Sequence, residues 1–252
     1  MYGRTDYEQM AARYDAGRTL PHELLDSWRV ALRPYVVPST FPLLDLGSGT
    51  GLFSDALADW FDTDVIGVEP SEAMRRKAAS NRSSSRTTII GGEAERIPLR
   101  KSSCSHAWVS TVLHHIPDLA RCAAELRRVL SDQAPVLIRN SFGDRLDGIH
   151  WLRYWPSARR LAARRWPTVE ATIEAFGSAG FELIELEDVG EVVAPNLHAY
   201  YDRMLVRANS TLVLIDDEDF ARGLKKLQQA AREAAALEPI TDRRSLLVFG
   251  QR

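Results

Sequence analysis

The 252-residue chain has no run of about 18 apolar residues, the length a membrane-crossing helix needs, so no membrane partner is expected. Met1 to Arg18 mixes Arg, Asp, Glu and Tyr, without the apolar core of a secretory leader. Cysteine is scarce. Cys104 and Cys122 cannot make a disulfide framework and lack metal-ligand spacing, so both read as small buried residues and no metal centre is expected. An excess of one charge is missing too. Lys and Arg number 32 against 34 Asp and Glu, a formal net charge of −2 that gives no general attraction to nucleic acid. The expectation from these absences is a cytoplasmic protein, monomer or homodimer, with a small-molecule partner. The 45% apolar content is enough for a sizeable core in one domain spanning 1–252.

Along the chain, short apolar strands alternate with amphipathic helices. Residues 1–35 read as helical through Leu20, Leu24, Leu25, Trp28 and Leu32, and Pro34 and Pro38 end them. Strands are expected at 41–46, 64–68, 87–90, 107–111 and 135–139. Helices follow the glycine-rich stretch at 47–51, at 71–79 with Ser71 as cap, and at 119–130. Strand–helix alternation at this spacing indicates βαβ units and a doubly wound, mostly parallel α/β sheet. After residue 142 the rhythm breaks. Residues 143–167 are rich in Trp and Arg without a clear strand, 168–179 read as a helix capped by Thr168, 181–189 and 245–249 as strands, and 197–238 as mainly helical. The N-terminal helix (1–35) therefore reads as a lid, and 143–167 and 190–240 as a helical cap.

The turn Gly47-Ser48-Gly49-Thr50-Gly51 lies between the first strand and its helix, where a ligand can approach backbone that carries no Cβ. A dinucleotide fingerprint needs its third glycine at position 52, which is Leu52, so an NAD-dependent oxidoreductase is disfavoured. Asp45, just before the turn, repels a pyrophosphate but suits an ammonium group. Glu69 ends the second strand, where an acid can accept from both hydroxyls of a ribose. The residues therefore ask for a nucleoside with an amino-acid end and no phosphate.

Leu43-Leu44-Asp45-Leu46-Gly47-Ser48-Gly49-Thr50-Gly51 resembles motif I of the class I S-adenosylmethionine (SAM)-dependent methyltransferases. Val65 to Met74 resembles their second motif, Gly92 to Leu99 their adenine-binding segment, and Leu113-His114-His115-Ile116 the stretch after their fourth strand. The resemblance runs in order over 41–140 and implies a seven-stranded sheet whose last strand is antiparallel. It implies SAM as cofactor and S-adenosyl-L-homocysteine as product. It also implies site roles. Asp45 takes the methionine ammonium, with Gly47, Ser48, Gly49 and Gly51 passing under the cofactor. Glu69 takes the ribose hydroxyls beside Pro70, Met74 packs near the adenine, and Glu93 and Ala94 contact its edge. The Ser110 backbone faces the methionine end, and Tyr14 and Arg18 fold over it, with Arg18 pairing with its carboxylate. The family usually has Asp where Glu93 stands. It has Phe-Asp where Cys104-Ser105 stands, and Pro-Gly-Gly where Asp132-Gln133-Ala134 stands. Those last differences bear on the subfamily more than on the cofactor.

The acceptor would sit outside the carboxyl ends of the strands, against Trp151, Tyr154, Trp155, Trp166, His198, Tyr200 and Tyr201, of which Trp151, Tyr154, Tyr200 and Tyr201 are the principal pocket candidates. His115, with His114 second, is the candidate catalytic base for an acceptor oxygen or nitrogen, carbon being the lesser expectation. Arg145, Arg153, Arg159, Arg160, Arg164 and Arg165 read as solvated helix faces. An RNA methyltransferase and a non-catalytic SAM-binding protein are the alternatives. No RNA-binding module accompanies the domain to favour the first.

Overall fold

The computed structural model describes residues 25–234 and 238–252. Leu43–Leu46 form β1, and all four residues are buried, as a strand covered on both faces requires. Alternation divides them: Leu44 and Leu46 enter one core, Leu43 the other. β1 pairs in parallel with β2 (Val65–Val68) and β4 (His106–Ser110), and β3 (Thr87–Ile90) and β5 (Val136–Asn140) extend the sheet on either side. Two longer strands, β6 (Phe181–Ala194) and β7 (Ile240–Gln251), complete the order β3-β2-β1-β4-β5-β7-β6, with β7 antiparallel to both its neighbours. This is the doubly wound, mostly parallel α/β sheet that the alternation of elements implies, with the seven strands and antiparallel last strand that the resemblance implies.

Helices α1 (Asp26–Leu32) and α2 (Leu52–Phe61) pack Trp28 and Leu57 against Trp108 and Leu137 on one face. After β2 comes α3 (Glu72–Asn81), where the Ser71 hydroxyl accepts from the Met74 amide at 3.3 Å. On the opposite face α4 (Leu119–Val129) places Cys122 and Leu126 in the largest core, and α6 (Val169–Ser178), capped by Thr168, adds Phe176. Both cysteines are free and buried. The cap has its own core around Trp151, Trp155, Tyr200, Leu212 and Leu227. It is built by α5 (Pro156–Arg165), α7 (Leu197–Leu205), α8 (Ser210–Val213) and α9 (Asp217–Glu233). The Arg-rich segment does face solvent: Arg145 pairs with Asp188 at 2.8 Å and Arg159 with Asp147 at 2.5 Å, all exposed side chains. No described helix is long and apolar enough to cross a membrane.

The hairpin departs from expectation. Sequence alternation ends the two strands at 189 and 245, yet pairing continues through Gly190–Ala194 and Ile240–Arg244, beyond the point where Asn140 of β5 meets Ser245. Glu191, Asp242 and Arg244 interrupt the apolar pattern there. Glu191 and Asp242 are nevertheless buried and Arg244 partly so, because each compensates another. Glu191, only 2% exposed, accepts at Oε2 from Arg139 Nε and Nη2 and from Trp28 Nε1 at 3.0 Å, and the same oxygen lies 3.4 Å from Arg244 Nε. Arg244 also reaches Asp242 at 3.3 Å and Ser141 Oγ at 2.8 Å. A buried charge is tolerated only when paired in this way, so the strand extension depends on charged residues that read as loop.

The two guanidinium groups hold the Glu191 carboxyl down at about 2, against the desolvation that would raise it. Its contribution to stability is therefore full above about 4.5 and is lost as pH falls towards 2. Glu191→Gln leaves two arginines buried and short of a partner, and should destabilise the fold by about 3–5 kcal/mol at neutral pH. In urea titrations the gap from the parent should narrow below pH 4.5. A gap that stays constant to pH 2 would contradict the ionic account.

Candidate active site

The cofactor-type turn follows from backbone constraints. Gly47, Gly49 and Gly51 all have left-handed φ, at 75°, 57° and 83°. A Cβ on Gly47 would sit 2.5 Å from Val112 Cγ1, so the turn closes tightly on the segment after β4. Above Gly49 a Cβ would meet nothing within 4 Å. That is an open cradle over exposed backbone at the carboxyl end of β1.

Two acids frame it. Asp45 is 1% exposed, and its Oδ2 accepts from Ser54 Oγ at 2.6 Å. Burial first, partly offset by the Ser54 hydrogen bond and reinforced by Glu69, raises its pKa to about 7. It forms no ion pair among the described residues. Such a carboxylate is poised to gain from an incoming cation. Glu69 Oε2 accepts from the Gly49 amide at 3.0 Å and Oε1 from the Ser71 amide at 2.8 Å, tying the end of β2 to the glycine turn. Burial raises its pKa while these two amides oppose the rise. Each oxygen keeps a lone pair for a further donor, such as a sugar hydroxyl. Arg75 Nη1 donates to the carbonyls of Glu69 and Pro70, each at 2.8 Å, and fixes the strand end.

Met74 is buried at the start of α3. Glu93 is exposed at the wall of an open groove shared with Glu95, Arg96, Asp118 and Arg121, while Ala94 packs on the main core. Sequence reasoning missed what holds this segment. Glu125 accepts from the Ile97 amide at 2.8 Å, and Arg128, bound to Glu125, donates to the carbonyls of Ile97 and Leu99. Nothing in the local pattern marks that pair, since both residues sit on a polar helix face.

Ser110 ends β4, and its Oγ accepts from Arg139 Nη1 at 3.1 Å, as Thr111 Oγ1 does at 2.6 Å. Thr111 has φ 59°, a costly conformation for a β-branched residue that local contacts must enforce. Here Arg139 enforces it, also a residue sequence reasoning passed over. Next comes the 3₁₀ turn Leu113–His115, where the His114 and His115 rings lie 3.9 Å apart and His114 lies 5.9 Å from Trp166. Both histidines are half-buried beside the turn. Tyr14 and Arg18 lie outside the described residues.

The aromatic candidates separate. Trp151 and Tyr200 line a small cavity between the hairpin extension and α7–α8. Tyr154 sits instead against His150, its hydroxyl 3.4 Å from Nε2, and the Tyr201 hydroxyl accepts from Gln228 at 3.1 Å; neither lines the cavity. Trp155 stacks on Phe220, and His198 is exposed.

The geometry fits the comparison with known proteins. The methyltransferase-domain family matches residues 44–138. The segment from β1 to β5 is thus similar to a methyltransferase domain. An uncharacterised methyltransferase of Bacillus subtilis is 29% identical over 188 residues, covering 69% of this chain and 87% of that protein. A ubiquinone/menaquinone biosynthesis C-methyltransferase of Methylobacterium nodulans is 31% identical over 133 residues, 49% of this chain and 53% of that protein. The chain thus spans about half the length of this second relative. Among solved structures, a protein of Anabaena variabilis ascribed to antibiotic biosynthesis superposes with a TM-score of 0.69 at 20% identity, over 89% of this chain and 96% of that one. That likeness is one of fold. The match over 44–138 runs through the same segment as the motifs from β1 to β5.

Because Asp45 is neutral more readily when folded than when unfolded, its ionisation costs stability as pH climbs from about 3.8 to about 7. Asp45→Asn should therefore stabilise the ligand-free protein above pH 7, by about 2–4 kcal/mol, with little gain near pH 4. Thermal denaturation across pH tests this; an equal effect at both ends would refute the burial argument.

Proposed function

We propose that the cradle over the glycine turn binds SAM and that the chain transfers its methyl group to a small-molecule acceptor. Bound SAM supplies a methyl group on a sulfonium, which needs alignment more than activation. The observation that carries the reading is Asp45: a buried, desolvated carboxylate without an ionic partner among the described residues, beside an open cradle of glycine backbone. An ammonium group there would repay the desolvation of Asp45 through a charge-assisted hydrogen bond. Glu69, already aligned by two amides, accepts the ribose hydroxyls. Met74 and Ala94 bound the adenine, and Glu93 accepts from its amino group. The strained Ser110–Thr111 turn offers backbone to the methionine end. Tyr14 and Arg18 are proposed to cover that end.

For an acceptor that must lose a proton, His115 takes it, with the His114 ring tilted against it at 3.9 Å. The acceptor atom is oxygen or nitrogen; the match to a C-methyltransferase makes carbon a further candidate.

Calorimetry with SAM and its demethylated product is the first experiment. Binding should be measurable, and Asp45→Ala and Glu69→Ala should each weaken it by about 1–3 kcal/mol. Unchanged affinity in both variants would refute the site. His115→Gln should lower kcat about 10²-fold or more for a hydroxyl acceptor while leaving SAM affinity alone. A protein that binds SAM but yields no demethylated product with any acceptor would be a binder rather than an enzyme.

A further inference from the structure

We propose that Thr111 is a positioning residue for cofactor binding: its hydroxyl latches onto Arg139, and the latch holds the wall of the glycine turn in the form that receives the ligand. The inference rests on the SAM reading above and adds to it a residue that acts without touching the cofactor.

Thr111 is the first residue beyond β4, and its backbone is strained. At φ 59° it is the one β-branched side chain with positive φ among the described residues, in a region where glycine is at ease and a branched Cβ is not. Such a conformation persists only where its surroundings over-determine it, and that is the kind of outlier from which a functional role is argued. Two bonds to a single residue supply the constraint. The Thr111 amide donates to the Arg139 carbonyl at 2.8 Å, which continues the β4–β5 pairing one step past Ser110. Thr111 Oγ1 accepts from Arg139 Nη1 at 2.6 Å. The amide fixes where the chain leaves the sheet; the hydroxyl fixes the direction it takes.

The latch is firm because Arg139 is held from several elements at once. Its Nε and Nη2 donate to Glu191 of β6, and its guanidinium lies over Trp28 of α1 at 5.0 Å and Phe53 of α2 at 5.2 Å. The side chain is only 8% exposed. An arginine held in this way has lost its rotamer freedom before any ligand arrives, so little ordering remains to oppose binding.

The consequence is felt one residue on. Val112 Cγ1 lies 2.5 Å from the point where a Cβ on Gly47 would stand, so Val112 packs directly on the glycine turn. The His115 amide donates to the Val112 carbonyl at 2.8 Å and opens the histidine turn. Relaxation of φ at 111 would therefore move the wall of the cradle and the candidate base together. A protein that spends most of its time relaxed binds more weakly by the fraction of molecules still in the receptive form. Glycine at 111 would reach the working φ freely without being held there. Valine would keep the branched Cβ and lose the hydroxyl that compensates it.

The test is calorimetry with S-adenosyl-L-homocysteine on the parent, Thr111→Val and Thr111→Gly, each well below its own melting temperature so that folded protein alone is compared. Thr111→Val should bind on the order of tenfold more weakly than the parent, the scale of one strained residue released. Thr111→Gly, although it deletes the whole side chain, should fall between the two. A merely packing role for the side chain predicts the opposite order, with glycine the weaker. Equal affinity in the parent and Thr111→Val, or glycine binding no better than valine, overturns the latch. If Thr111→Val does not fold, Thr111→Ala against Thr111→Gly makes the same comparison, alanine being the weaker binder if the latch is correct and the equal or tighter one if it is not. A parent that binds while the order is reversed sinks this inference alone; a parent that does not bind sinks the cofactor reading and the inference with it.

Discussion

One buried carboxylate, that of Glu191, joins three strands and a helix. Its Oε2 meets Arg139 from β5, Arg244 from β7 and Trp28 from α1, while its own backbone belongs to β6. Burying a carboxylate is prohibitively costly unless cations compensate it, and each arginine is equally dependent on the acid. The hairpin can therefore rise beyond the end of β5 only with all three charges in place. The cap packs on that extension, and the extension puts the cap above the carboxyl ends of the parallel strands.

The same network reaches the chemistry. Arg139 turns from Glu191 to Ser110 and Thr111, and its guanidinium also lies over the rings of Trp28 and Phe53, at 5.0 and 5.2 Å. Thr111 is held in a left-handed conformation next to Val112, whose side chain leaves no room for a Cβ on Gly47. The glycine turn is thus shaped from two sides: by Glu69 through the Gly49 amide, and by the β4 turn through Val112. Pre-formed backbone of this kind receives a ligand at little entropic cost. Asp45 stands out because it is desolvated without the ionic compensation Glu191 enjoys.

The strands of the parallel half were legible because buried strands are short, apolar and separated by turn residues, as Leu43–Leu46 and Val136–Ile138 are. The cofactor-type residues were legible as well, since glycines at left-handed positions and acids at strand ends are local requirements. What escaped notice is long-range. Glu191, Asp242 and Arg244 are polar in sequence and become strand residues only through partners far along the chain; Arg139 lies in an expected strand, but its pairing with Glu191, 52 residues on, could not be read locally. Glu125 and Arg128 look like a solvated helical pair, yet they bind the backbone of Ile97 and Leu99. The aromatic cap residues were too alike in sequence to distinguish. Position alone puts Trp151 and Tyr200 on the cavity and Tyr154 and Tyr201 off it.

The most direct measurement is a crystal structure of the protein grown with S-adenosyl-L-homocysteine. The account expects the ligand's ammonium within hydrogen-bond reach of Asp45, directly or through one water, its ribose hydroxyls on Glu69, and its adenine between Met74 and Ala94. A nucleoside lying elsewhere, or one leaving Asp45 and Glu69 untouched, would contradict it.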